Sequence, residues 1–227
     1  MISESKILDH AHQVLRSEAE AILAVDNHLD DSFAKAVELI LECKGRLILS
    51  GIGKSGHIAT KLAATFASTG TPSYFVHAAE AAHGDLGMIT QDDVVIGISY
   101  SGESTELVTI IPTLKREGAK LIAMTGNPSS SLGRYADVVI NCHVEREACP
   151  LNLAPSNSTT VSLALGDALA IACLIERNFS RSDFARSHPG GSLVRHILSA
   201  IQESSRQKCQ RYAQDVLPCW SLLTPSH

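Results

Sequence analysis

The stretch that decides the fold is Arg46-Leu47-Ile48-Leu49-Ser50-Gly51-Ile52-Gly53-Lys54-Ser55-Gly56-His57. A short apolar run ends at a glycine-rich turn and passes into a helical pattern over 57–68. That order reads as one strand–loop–helix unit of an α/β fold. Further apolar runs of strand length follow at 73–76, 94–99, 120–125 and 138–141. Several are almost wholly apolar, as strands are when a parallel sheet is covered on both faces. Helical patterns at 105–117 and 130–135 lie between them. The alternation predicts a doubly wound α/β sheet.

Outward from this core, residues 3–43 read as helix. Ile7, Leu8, Ala11, Val14, Leu15, Ala19, Ile22 and Leu23 recur at threes and fours, and a break near 26–31 precedes a second apolar face of Phe33, Ala36, Val37, Ile40 and Leu41. Residues 158–177 predict a long helix, apolar nearly all round and therefore buried. The division expected is N-terminal helices (1–43) packing on the sheet domain, the domain itself (44–198), and a divergent tail (199–227).

Composition narrows the function. Of 227 residues, 19 are Lys or Arg and 24 are Asp or Glu, a net charge of −5. Without a basic excess, nucleic acid is not an expected partner. No basic start is followed by an apolar run, and the longest apolar run, 168–175, is far short of a membrane span. Six cysteines form no CxxC pair, so they read as reduced thiols in a cytoplasmic protein.

Ligands of an open parallel sheet bind beyond the carboxyl ends of its strands. Three of those ends carry loops rich in Gly, Ser and Thr: 50–57, 99–106 and 125–131. Glycines let backbone N–H groups approach an anion, and a helix N-terminus adds partial positive charge. One such loop is an ordinary turn; three at successive strand ends point to a phosphate group. Gly51, Gly53 and Gly56 also fit GxGxxG. The acidic residue which that dinucleotide motif requires at the end of the second strand is absent, since Tyr74-Phe75-Val76-His77 stands there. Lys54, His77, Glu80, His83, Asp85, Glu103, Glu106, Glu147 and His188 lie in loops, and suit acid–base chemistry on a phosphorylated substrate.

The loops GIGKSGH (51–57) and SYSGESTE (99–106) resemble the sugar isomerase (SIS) domain. The runs FASTGTPSYFVHAAEAAHGDLGMIT, EACPLNLAPSNSTT and FARSHPGG are similar to arabinose 5-phosphate isomerases of the KpsF/GutQ type. The resemblance covers about residues 5–198. It implies a SIS-type doubly wound five-stranded parallel sheet flanked by helices, and a homo-oligomer, expected as a tetramer, that interconverts D-ribulose 5-phosphate and D-arabinose 5-phosphate for Kdo, lipopolysaccharide or capsule. The family's catalytic residues fall on Lys54, Glu106, Glu147 and His188. Substrate contacts fall on Ser55, Gly70, Thr71, His83, Ser99, Ser101, Ser104 and Thr105. His77 matches a histidine associated with inhibitory zinc; no cofactor is required.

The implied chemistry uses Glu106 or Glu147 as the base between C1 and C2, with Lys54 steadying the enediolate oxygen. His188 or His83 moves the hydroxyl proton. Lys54, Glu106 and Glu147 are expected to converge on one pocket, with the 99–105 loop at its base. The chain departs from the family at Tyr100, where many members carry asparagine; a modest effect is expected. It departs again after Leu198, where most members continue into a pair of CBS domains. A phosphosugar sensor without turnover is the alternative reading.

Overall fold

In the computed structural model, which describes residues 3–187, the run that opened the sequence reading is β1 (Leu47–Gly51). It pairs in parallel with β2 (Ser73–His77) on one side and β3 (Val94–Ile98) on the other. β4 (Lys120–Thr125) and β5 (Val138–Asn141) complete the order β2-β1-β3-β4-β5. The register sets Gly51 level with both His77 and Ile98, so the carboxyl ends of the first three strands lie side by side. Every residue of β1 and β3 is buried, in keeping with their largely apolar sequences; the one polar residue, Ser50, is buried with them.

Alternate side chains serve two cores. Leu47, Leu49, Ile96, Ile98, Ile122 and Met124 pack with α2 (Asp31–Leu41), α3 (Gly53–Ser68) and α7 (Asn157–Glu176). Ile48, Val95, Leu121 and Ala123 pack on the other face with α4 (Ala78–Ala82), α5 (Thr105–Glu117) and α6 (Ser131–Tyr135). α2 starts where Asp30 accepts a hydrogen bond from the Ser32 N–H at 2.8 Å, and it buries Ala36, Val37 and Ile40. Complete burial of Ile40 contributes roughly 1.5–3 kcal/mol relative to an exposed side chain. α5 ends at Gly118, whose φ of 89° is the left-handed cap that glycine takes without strain.

Two helical expectations needed adjustment. α1 (Glu4–Asp26) forms and meets α7, but among its residues only Val25 is buried; Leu8, Leu15 and Leu23 are each 60% exposed or more. α7 is the one described helix long and apolar enough to cross a membrane. It is instead a core helix, with Val161, Leu165, Leu169, Ala170 and Cys173 buried, although Ile171 and Ile175 remain exposed. At Gly166 a Cβ would come within 2.2 Å of Leu62 Cδ1, so this glycine sets how closely α7 lies on α3. The sequence reading passed over α4 and the short 3-10 turn at Asp85–Met88, both shorter than two helical turns.

Backbone contacts divide the chain after residue 178. The N-terminal helices and the sheet share the first unit; α8 (Arg181–Ser187) belongs to the second. His188 and the expected tail at 199–227 lie outside the described residues. Cys43, Cys142, Cys149 and Cys173 are free, and burial pushes the Cys142 thiol up to about 12.

Candidate active site

The strand order has a consequence for the loops. From β1 the chain moves to one side of the sheet, and from β3 to the other, so right-handed crossovers send α3 and α5 to opposite faces. A crevice opens where they part, and a cleft of about 430 Å³ lies there. Its walls include Lys54, Ser55, Tyr100, Glu147, Ser158 and Thr159.

The glycines build the turn. A Cβ on Gly51 would lie 3.0 Å from the Ile98 carbonyl oxygen, and one on Gly56 would lie 3.1 Å from the Gly51 oxygen. Gly53 takes a φ of 56°. The pattern is needed for the strand–turn–helix itself, without a dinucleotide. No side chain caps α3, so the N–H groups of its first turn have no side-chain acceptor and are of the kind that suits an anion, beside the exposed Lys54.

Glu147 reaches the cleft from the long segment between β5 and α7. Its Oε2 accepts hydrogen bonds from the Ser156 N–H at 2.8 Å, the Ser156 hydroxyl at 3.1 Å and the Ser158 N–H at 3.2 Å. The carboxylate thereby closes the N-terminus of α7, which Ser156 itself does not cap. Partial burial pushes its pKa up, but the hydrogen bonds from Ser158 and Ser156 outweigh this and hold it below the ordinary carboxylate range. The Glu147 N–H in turn donates to Asn152 Oδ1 at 2.7 Å, with Asn152 in the left-handed region at φ 53°.

The expected convergence is therefore partial. Lys54, Ser55 and Glu147 share the cleft; Glu106 does not line it. Glu106 is exposed in the first turn of α5, on the other face. Nor do Ser99, Ser101, Ser104 and Thr105 form its base. The Ser99 and Ser104 hydroxyls bond each other at 2.9 Å, Ser99 Oγ also accepts from the Gly102 N–H, and Ser101 Oγ accepts from the Glu103 N–H. Ser101 and Thr105, the first residue of α5, are exposed, and the N-cap Ser104 makes no capping bond. Glu103 accepts from the Ser131 N–H at 2.8 Å, which ties this loop to α6. The Ser131 side chain and N–H together lower the Glu103 pKa.

Gly70 and Thr71 need the largest correction. They follow the C-terminus of α3, where the Thr71 N–H donates to the Phe66 carbonyl and Gly70 has a φ of 95°. The next residue, Pro72, bonds to the start of β1. They sit at the amino ends of the strands, roughly 16 Å from the cleft at about 3.3 Å per residue. A helix that follows a strand must return the chain to that end. Within one copy they do not reach a ligand held by Lys54. His77 closes β2 with its ring edge-on to Phe75 at 6.1 Å, and His83 ends α4. Among the described residues no three His, Cys, Asp or Glu side chains gather as a metal-ligand set.

The sequence reading missed three contributors. Asn152, Ser156 and Ser158 fix Glu147, and no local spacing marks them for that task. For Tyr100, the expectation of a modest effect overlooked its hydroxyl, which bonds the main chain at Val144.

A switch-point cleft bearing a lysine, a carboxylate and an uncapped helix N-terminus marks the chain as an α/β protein whose candidate ligand site has the chemistry to accept an anion. The chain belongs to the SIS-domain family, whose model matches residues 40–172. It is 54% identical over 202 residues to an arabinose 5-phosphate isomerase KdsD of Pseudomonas aeruginosa, covering 88% of this chain and 62% of that protein. It is 54% identical over 191 residues to the KdsD of Escherichia coli K12, covering 84% and 58%. The chain thus spans about three-fifths of the length of these relatives. Among solved structures, an Escherichia coli CFT073 protein in complex with arabinose 5-phosphate matches with a TM-score of 0.81 and 44% identity. That match covers 83% of this chain and all of the other.

Proposed function

We propose that this chain is an aldose–ketose isomerase interconverting D-ribulose 5-phosphate and D-arabinose 5-phosphate through an enediolate, in supply of Kdo for lipopolysaccharide or capsule. The observation that carries the reading is the meeting of Lys54 with the Glu147 carboxylate in one switch-point cleft. The relatives named arabinose 5-phosphate isomerase support it, as does the solved neighbour that holds arabinose 5-phosphate. The cleft volume lies in the range of small-molecule sites.

Glu147 is the base in this reading. Its hydrogen bonds keep it ionised at neutral pH and hold it in one place, ready to move a proton between C1 and C2. Lys54 faces the oxygen on which charge develops, where a fixed cation lowers the barrier most. Ser55 and the first-turn N–H groups of α3 take the phosphate, and His188 shuttles the hydroxyl proton. Proton transfers suffice, so no metal or organic cofactor is required, and zinc at His77 would be inhibitory. The reaction belongs in the cytoplasm.

The active form in this proposal is a homo-oligomer, a tetramer by family resemblance. The exposed apolar stripe of α1 supports an assembly. His83, Ser101, Thr105 and Glu106, which are exposed and do not line the cleft, would serve the site from a surface shared with a second copy. The test is to add ribulose 5-phosphate and follow arabinose 5-phosphate by NMR. Binding of the sugar phosphate without conversion would favour the sensor reading.

A further inference from the structure

We propose that Tyr100 is a positioning residue that holds the Glu147-bearing wall of the cleft in place. The kinetic part of this inference rests on the isomerase reading; the structural part does not. Tyr100 follows β3 by two residues and lines the cleft. Its hydroxyl donates to the Val144 carbonyl at 2.9 Å and accepts from the Val144 N–H at 3.3 Å. A phenol carries one donor and acceptor lone pairs, so a single oxygen satisfies both main-chain groups of one residue. Val144 is 6% exposed, and there these groups would be costly to leave unpaired.

The brace is itself locked. A Cβ on Gly126 would lie 2.5 Å from Tyr100 Cε2, so the ring lies against the main chain of the loop after β4. The Tyr100 carbonyl accepts from the Gly126 N–H at 2.9 Å and from the Thr125 hydroxyl at 3.2 Å. Ring and backbone are thus fixed to β4 while the hydroxyl reaches out to residue 144. The segment it meets, 142–156, has no regular secondary structure to hold it. Cys142 at its start is bonded to Thr125, and the Arg146 carbonyl is bonded to Asn157. Between those two anchors the Tyr100 hydroxyl bonds both main-chain groups of Val144. Glu147 follows three residues later, and its bonds to Ser156 and Ser158 depend on where that stretch of chain lies.

The test compares the full-length wild type with Tyr100→Phe, which keeps the ring against Gly126 and removes only the hydroxyl. Hydrogen exchange followed by NMR is expected to quicken at the Val144 amide and across 144–148, with the strands unchanged. With ribulose 5-phosphate, kcat is expected to fall about tenfold while KM stays within about twofold, the size of one lost buried hydrogen bond expressed mainly in turnover. Wild-type exchange at Val144 in the variant would overturn the proposal. Faster exchange with wild-type kcat would overturn it too, because the wall would then move without consequence for Glu147. Slower turnover with unchanged exchange would place the hydroxyl on the substrate instead, which also overturns it. Exchange is read without substrate, so a wild type inactive on ribulose 5-phosphate defeats the isomerase reading while Val144 still reports on the brace.

Discussion

The Glu147 carboxylate accepts the Ser156 backbone N–H at 2.8 Å, so the acid that faces the cleft is also the group that closes the start of α7. One side chain thus links the stability of a core helix to the proposed chemistry. Its folded pKa is lowered, so the protonated form is disfavoured by the native state. The stabilisation is present above the ordinary glutamate pKa and is lost as pH falls through the lower folded value. The fall in Tm on acidification should therefore be steeper for wild type than for Glu147→Gln. Parallel curves for the two proteins would remove Glu147 from the acid transition.

The same substitution tests the base. A glutamine oxygen can still accept the Ser156 N–H, so the fold should survive, while kcat for ribulose 5-phosphate should fall about 10²-fold or more. A circular dichroism spectrum matching wild type would show that the loss is chemical.

Lys54 stands exposed at the start of α3, with no described ion pair. Lys54→Ala should cost little stability and lower kcat by about 10²-fold or more if its charge stabilises the enediolate. Turnover within twofold of wild type would exclude it from the mechanism.

The crossing of α3 and α7 is set by Gly166 against the fully buried Leu62. Gly166→Val should destabilise the protein by about 1–3 kcal/mol through overpacking, measured by urea unfolding. Adding Leu62→Ala to it should cost less than the sum of the single effects, because the two side chains compete for one space.

The exposed face of α1 should be covered in solution. Leu8→Asp with Leu15→Asp is expected to lower the mass seen by light scattering and to reduce activity. A wild-type monomer with full activity would contradict a shared site. If Lys54 and Glu106 act across a subunit boundary, mixing Lys54→Ala with Glu106→Gln protein under conditions of subunit exchange should give more activity than the sum of the two proteins kept apart.

Much of the fold was legible along the chain. β1, β3 and β4 are apolar on both faces because both faces are covered, and this leaves a continuous apolar run in the sequence. α5 was read at its full length from 105 to 117 because its apolar positions repeat at helical spacing and Gly118 ends it. Gly51, Gly53 and Gly56 marked the turn that carries Lys54, since the close approach and positive φ there exclude most side chains.

Strand order carries no such local mark. It was the order β2-β1-β3 that sent α3 and α5 to opposite faces, put Lys54 in the cleft and left Glu106 outside it. The same return of the chain put Gly70 and Thr71 at the far end of the sheet. The bond between Tyr100 and Val144 joins residues 44 positions apart, and the Glu147 bonds to Ser156 and Ser158 cross an irregular loop. Periodicity records which face of a single element is buried. Which elements become neighbours, and which polar groups then meet, is set by packing two cores around one twisted sheet, and only the folded chain decides it.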